Sequence, residues 1–366
     1  MKIAILSLPL RQNYGGIMQT FALQEYLKQL GHDVIFINRH KNTSDENIGS
    51  YLYQFISQDI LHCNIQNFIH QHINSTSPIV SQRQLEKIGQ KVDAVVVGSD
   101  QVWRLSMIKK VETNYFLDFV PESCRKIAYS ASFGSDTWEG SHDLTEKIKL
   151  LIQQFNAISV REIEGVDICN KVFSVKAEHT LDPVFLHSRE FYESIIKRTN
   201  PATNTEDVLF YYFLGHDRNQ VNATISLAQK LHLKPKTLQP YWKFNIGKFE
   251  FSAMHTPQEW LSSLLKAKFI VTDSFHATAF ALIFNKPFIV VPNISGGLSR
   301  IHSILSIAGL ESRLINAKDV YTLNADVLDN INYEIVNNII AEAQGKSIEY
   351  LINSLNMNNN LPICNG

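Results

Sequence analysis

At 366 residues the chain is too long for one small core, and the prior is about two domains of 100–200 residues each. Its 45% apolar and 19% charged residues are those of an ordinary globular protein, which excludes a disordered chain as the default reading. The net charge of −1 with histidines neutral offers no global attraction to nucleic acid or to an anionic membrane, and nucleic acid is not expected as a partner.

In chain order, Lys2–Leu8 is a short apolar run with no small-residue cleavage site after it, so it reads as a buried first strand and not as a signal peptide. The turn Asn13-Tyr14-Gly15-Gly16 opens a helix from about Ile17 to Leu30, with Phe21, Leu23, Leu27 and Leu30 on its apolar face and Gly31 past its end. Val34–Ile37, Ala94–Val97, Lys126–Ser130 and Ala157–Val160 are the next strands, the last two separated by a helix across Leu144–Phe155. A proline interrupts the extended stretch Leu181–Phe185, and a domain boundary is placed there, giving an N-terminal domain over 1–182. The second domain, 183–356, repeats the rhythm. It has strands at Val208–Leu214, Thr237–Leu238, Phe269–Thr272 and Pro287–Val291, and helices at Asn219–Leu231, Pro257–Lys266, Phe275–Phe284, Arg300–Ala308 and Glu334–Leu355. A loose polar tail follows at 357–366. Apolar, Val- and Ile-rich strands joined by helices indicate parallel sheets covered on both faces. The fold expected is α/β, two doubly wound, Rossmann-like domains facing across a cleft.

Cys63, Cys124, Cys169 and Cys364 are scattered without CxxC spacing, which suits a reducing compartment better than a disulfide framework. His32, His40, His62, His70 and His72 show no metal-type spacing; His62, His70 and His72 with Cys63 read as a solvated helix face, and no metal site is expected. No run approaches the roughly 18 apolar residues that span a bilayer. The expected location is the cytoplasm.

In doubly wound domains functional loops lie at the carboxyl ends of strands, so polar residues just after a strand carry the most weight. The strongest such segment is Lys268–Val291, KFIVTDSFHATAFALIFNKPFIVV, where Asp273, Ser274 and His276 fall between a buried strand and a helix start. A helix start favours anions, so His276 can meet a phosphate or carboxylate or move a proton; the plainer reading is a helix cap and a surface histidine. In Val95–Trp103, VVVGSDQVW, Asp100 can bind or deprotonate a sugar hydroxyl, Gln101 is a further acceptor contact and Trp103 can stack on a sugar face, against an ordinary strand-to-helix turn. Asn13 and Tyr14 are plausible contacts on a glycine-bearing loop that is neither GxGxxG nor a Walker motif. Arg161, following an apolar strand, needs an anion, either a protein carboxylate such as Glu162 or a ligand group. Gly296-Gly297-Leu298-Ser299-Arg300 repeats the glycine-then-cation theme, and Lys286 is equally well a surface lysine.

Together NYGGIMQTFALQEYL, VVGSDQVW, AYSASFG, ISVRE, LDPVFL and VTDSFHATAFALIFNKPFIVV resemble the polysaccharide pyruvyl transferase family, in family order from about residue 3 to residue 310. The resemblance implies a fold similar to the glycosyltransferase B type, with phosphoenolpyruvate as donor substrate and no cofactor. The acceptor implied is a galactose-type hexose in a surface or capsular polysaccharide or its polyprenyl-diphosphate-linked precursor. A lipid-linked acceptor would bring the protein to the inner face of the membrane. The resemblance also implies His276 as a catalytic residue and Arg161 as a donor contact. Many members carry an RLHG-like string where this chain has Ser274 and Ala277, which removes one cation from the expected donor site. Arg300, Lys286 and the helix start at Ser274 would then complete it. His276 and Asp100 are the expected proton carriers, and arginines can neutralise the leaving phosphate without a metal. The rival readings are a nucleotide-sugar glycosyltransferase on the same fold and a non-catalytic sugar-binding subunit.

Overall fold

The computed structural model describes residues 1–11, 13–40, 63–199, 204–215, 217–238, 243–246, 249–292, 298–323 and 331–356. These form two compact units, one of residues 1–186 with 343–366 and one of residues 187–342.

The first unit is built on six strands: β1 (Lys2–Leu6), β2 (Asp33–Ile37), β3 (Ala94–Val97), β4 (Arg125–Ala131), β5 (Ala157–Val160) and β6 (Glu178–His179). Their order is β2-β1-β3-β4-β5-β6 and every neighbouring pair is parallel. The central strands β1 and β3 are mostly apolar, as suits a sheet covered on both faces; all four residues of β3 and the last four of β1 are buried. The helices are α1 (Tyr14–Gln29), α2 (Cys63–His72), α3 (Gln82–Gly89), α4 (His142–Ile152) and α5 (Ile163–Phe173). From β1 the chain first crosses to β2 on one side and later to β3 on the other, so the loops after β1 and β3 diverge at a switch point. The β4–β5 register shifts between Ala128 and Ala131, where Ser130 adopts φ 51° and donates its N–H to Ser159 Oγ at 2.8 Å.

The second unit holds α6 (Arg189–Thr199), β7 (Val208–Tyr212), α7 (Arg218–Lys230), β8 (Lys234–Lys236), an antiparallel hairpin of β9 (Lys243–Ile246) and β10 (Phe249–Ser252), and α8 (Pro257–Lys266). It continues through β11 (Phe269–Thr272), α9 (Phe275–Ile283), β12 (Phe288–Val290), α10 (Leu298–Ala308) and the start of α11 (Tyr333–Asn356). Its parallel sheet has the order β12-β11-β7-β8, which again reverses direction, here between β7 and β11. Pro257 does occupy the first turn of α8, behind a reciprocal cap between Thr256 and Glu259.

Some sequence boundaries move. The division falls after Leu186 and not after residue 182, because Pro183–Leu186 is a 3₁₀ turn of the first unit and not an extended stretch. Asp182 Oδ1 accepts the Val184 N–H at 3.1 Å and so starts that turn. The strand expected at Thr237–Leu238 lies three residues earlier, as β8. The final helix, which by its sequence could belong to the second domain or reach back to the first, does reach back: from Ala343 it is part of the first unit. Ser347 Oγ accepts from Leu181 N (2.9 Å), Gln344 Nε2 donates to Phe185 O (2.6 Å) and the Tyr350 hydroxyl donates to Ala128 O (2.9 Å). The tail expected at 357–366 lies outside the described residues.

Candidate active site

A cavity of about 440 Å³ lies at the switch point of the first unit, formed by the chain just after β1, β2 and β3. This is within the usual range for small-ligand sites and where open parallel sheets place them. Its polar lining is Arg11, Asn13, Arg39, His40, Asp100 and Tyr115, and the facing wall is Leu8, Pro9, Leu10, Met107, Ile108 and Val111. Asp100 is buried. Its Oδ1 accepts the Gln101 N–H at 2.8 Å, and its Oδ2 lies 3.0 Å from where a Cβ on Gly16 would stand. Gly16 therefore lets the carboxylate reach the first turn of α1, where the helix dipole favours negative charge. Asn13 caps that helix without a side-chain hydrogen bond, so its amide remains available to a ligand. Burial and the charges of Arg11 and Arg39 lower the His40 pKa, which keeps the ring neutral near pH 7. Its Nε2 is 2.8 Å from Asn38 Oδ1, an acceptor, which puts the ring proton on Nε2 and leaves Nδ1 as an acceptor.

Beside the cavity the polar residues are committed to one another. Arg161 Nη1 pairs with Asp182 Oδ2 at 2.8 Å, and the Ser99 hydroxyl donates to the same oxygen at 2.6 Å. Arg161, expected at the donor, has the aspartate of the Leu181-Asp182-Pro183 segment as an ion-pair partner. Glu162, also buried, accepts from the Ser132 hydroxyl and from the Gly134 N–H (3.0 Å) and so holds the Ser-Phe-Gly turn.

At the switch point of the second unit, the Thr272–His276 segment is a clasp. Asp273 Oδ1 accepts the Leu214 N–H at 2.7 Å and Oδ2 the Gly215 N–H at 3.4 Å, tying the loop after β11 to the loop after β7. Burial raises the Asp273 pKa, partly offset by these backbone bonds. Ser274 caps α9, its Oγ accepting from Ala277 N at 3.4 Å, so the hydroxyl expected to meet the donor serves the helix instead. His276 follows in the first turn of α9 with 5% of its surface exposed.

Other expected contacts separate. Trp103 is 1% exposed, stacked on Phe116 (centroids 5.4 Å) with its indole N–H on Tyr115 O at 3.0 Å; it is core and cannot stack on a sugar. Tyr14 is likewise buried in α1 and makes no cavity wall. Gln101 is half-buried and its Oε1 accepts from Arg104 Nη1 at 2.7 Å. Lys286 precedes β12, at the amino end of a sheet whose carboxyl end carries Ser274 and His276. Burial first, and Arg189 second, lower its pKa to about 8. Arg300 stands half-buried in the first turn of α10, the helix that follows β12. The turn Gly296-Gly297 lies outside the described residues, as does His62.

Sequence reasoning passed over Arg11, Arg39 and His40. The same strand-end rule points to them, since Asn38-Arg39-His40 directly follows β2. Among the described residues no group of three or more His, Cys, Asp or Glu side chains is placed to hold a metal ion, and no helix is long and apolar enough to cross a membrane.

Solved structures share this architecture at low identity. The UDP-GlcNAc 2-epimerase from Neisseria meningitidis bound to UDP-GlcNAc is 12% identical, with a TM-score of 0.51 over 96% of this chain and 100% of that one. The putative UDP-N-acetylglucosamine 2-epimerase from Listeria monocytogenes is 11% identical, with a TM-score of 0.52 over 93% of this chain and 91% of that one. Arabidopsis thaliana UGT89C1 complexed with UDP-L-rhamnose is 9% identical, with a TM-score of 0.51 over 97% and 99% of the two chains. At such identities the likeness shows the fold alone, the glycosyltransferase B type with two Rossmann-like domains. No curated protein matches the chain. Residues 13–295, more than half the sequence, match the polysaccharide pyruvyl transferase pattern, and the chain belongs to that family of transferases.

Proposed function

We propose that the protein transfers the enolpyruvyl unit of phosphoenolpyruvate to two hydroxyls of a galactose-type hexose, closing a pyruvate ketal and releasing phosphate. The acceptor is a surface or capsular polysaccharide or its polyprenyl-diphosphate-linked precursor, and the work is done in the cytoplasm, at the inner membrane face when the acceptor is lipid-linked. Family membership supports the reaction class. The observation that carries the site is Asp100, a buried carboxylate at the switch-point cavity of the first unit, beside a neutral His40.

The chemistry needs one proton delivered to carbon and two removed from oxygen. A proton adds to the methylene carbon of phosphoenolpyruvate as the first sugar hydroxyl attacks its neighbour and loses its own proton. The carbon–phosphate oxygen bond then breaks, phosphate leaves with the electron pair, and the second hydroxyl adds and gives its proton to the medium or the phosphate. Asp100 takes the hydroxyl proton, as the buried carboxylate that lines the cavity of the first unit. His276 delivers the carbon proton. Arg300, half-buried in the first turn of α10, is the cation of the donor set that follows a strand of the second sheet, and it meets the anionic groups of the donor.

Purified protein is incubated with a methyl galactoside and either phosphoenolpyruvate or a UDP-sugar. Acceptor-dependent phosphate release from phosphoenolpyruvate, with no UDP release, supports the reading. UDP release in its place assigns a glycosyltransferase and overturns it.

A further inference from the structure

The cavity at the first switch point carries positive charge that a neutral sugar does not require. Arg39 is 6% exposed and donates to Asn114 Oδ1 (2.9 Å), to Ile79 O (3.2 Å) and to His40 O. None of these acceptors is a carboxylate. Asp118 stands behind Asn114, whose amide donates to Asp118 Oδ1 at 3.0 Å, and its charge only partly offsets the burial of the guanidinium. A buried guanidinium bonded to neutral groups keeps most of its charge uncompensated. Arg11, exposed at the same cavity, adds a second positive charge, and among the described residues Asp100 is the one carboxylate in the lining.

This set selects between the two substrates. Phosphoenolpyruvate carries a phosphate and a carboxylate and has no hydroxyl, so beside Asp100 it would meet a like charge with no hydrogen to donate. An acceptor brings hydroxyls for Asp100 and His40. The apolar wall of Pro9, Leu10, Met107 and Ile108 suits the carbon-rich face of such a ligand. Resting on the reading given above, we infer that this cavity is the acceptor subsite and that it recognises an acceptor bearing an oxyanion near the hydroxyls that become ketalated. Arg39 and Arg11 hold the oxyanion and Asp100 holds the hydroxyl. The oxyanion is a phosphate, as in a phosphate-linked sugar, or the carboxylate of a uronic acid.

Calorimetry on the full chain, without phosphoenolpyruvate, separates these sources. The probes are methyl galactoside, galactose 1-phosphate and galacturonic acid. One of the two anions is expected to bind at least about tenfold tighter than the neutral glycoside, a charge-assisted gain that names the source. Arg11→Gln, at an exposed position, is expected to remove most of that preference for the anion. Arg39→Gln does the same provided its circular dichroism matches that of the parent. Equal affinity for all three probes within about twofold would overturn the inference. So would a titration in which Arg11→Gln abolishes phosphoenolpyruvate binding and spares the sugar anion. Because no turnover is read, failure here leaves the pyruvyl-transfer reading standing, and failure of phosphate release leaves this binding result intact.

Discussion

Arg161 Nη1 lies 2.8 Å from Asp182 Oδ2, with the two side chains 1% and 0% exposed. This pair joins the strand end of β5 to the segment that closes the first unit, and the Ser99 hydroxyl shares the same aspartate oxygen. Breaking it leaves one buried charge without its partner. Arg161→Met or Asp182→Asn is expected to cost about 3–5 kcal/mol in urea unfolding of the full chain, and the double variant Arg161→Met/Asp182→Leu to recover part of that loss. Single variants with parental stability and lost donor binding would assign Arg161 to the donor site.

Gly134 has φ 65°, and a Cβ there would lie 2.5 Å from Gln101 Oε1 and 2.9 Å from Arg104 Cδ. Gly134→Ala therefore combines left-handed backbone strain with a clash, and a loss of about 1–2 kcal/mol is expected from strain alone. Thermal unfolding measures it. The displaced Gln101 follows Asp100, so acceptor affinity is expected to fall in the same variant.

Lys286 supplies a pH test. Its pKa drops from the ordinary 10.5 to about 8, because burial and Arg189 disfavour the ammonium while Glu193 opposes them. Between those values the unfolded chain binds more protons than the folded one, so this group's contribution to stability rises with pH across that window. Below it, the cost of the buried charge is fully present. Lys286→Met is expected to unfold at a higher temperature than the parent at pH 7, with the gain shrinking through the window and vanishing above it.

The sheets were legible because parallel strands buried on both faces are short apolar runs; β3, β11 and the helix from Pro257 to Lys266 fall where the pattern puts them. What was not legible is which polar residue faces a ligand. Trp103 and Asp100 are three residues apart on one strand-end loop, yet the indole closes a core with Phe116 and Phe133 while the carboxylate meets the cavity. In the Thr272–His276 segment, Asp273 and Ser274 look like ligand contacts and are bonds to the protein's own backbone. Arg161 looked in need of an anion, and Asp182, 21 residues on, provides it. Such pairings depend on strand order, which local pattern does not encode.

His276 and Asp100 are the proton carriers of the proposed reaction. His276→Ala and Asp100→Asn are each expected to fold and to lose about 10²–10⁴ of turnover with phosphoenolpyruvate. Steady-state phosphate release, with circular dichroism as the folding control, checks both. Near-parental turnover of either variant removes that residue from the mechanism.

The central claim is that a galactose-type acceptor leaves the protein carrying a pyruvate ketal. Mass spectrometry of a methyl galactoside after incubation with phosphoenolpyruvate and the protein tests it most directly. The account predicts a product heavier by one pyruvate less one water, formed together with free phosphate. An acceptor of unchanged mass across a panel of neutral and anionic galactosides, with the protein folded and phosphoenolpyruvate intact, would contradict it.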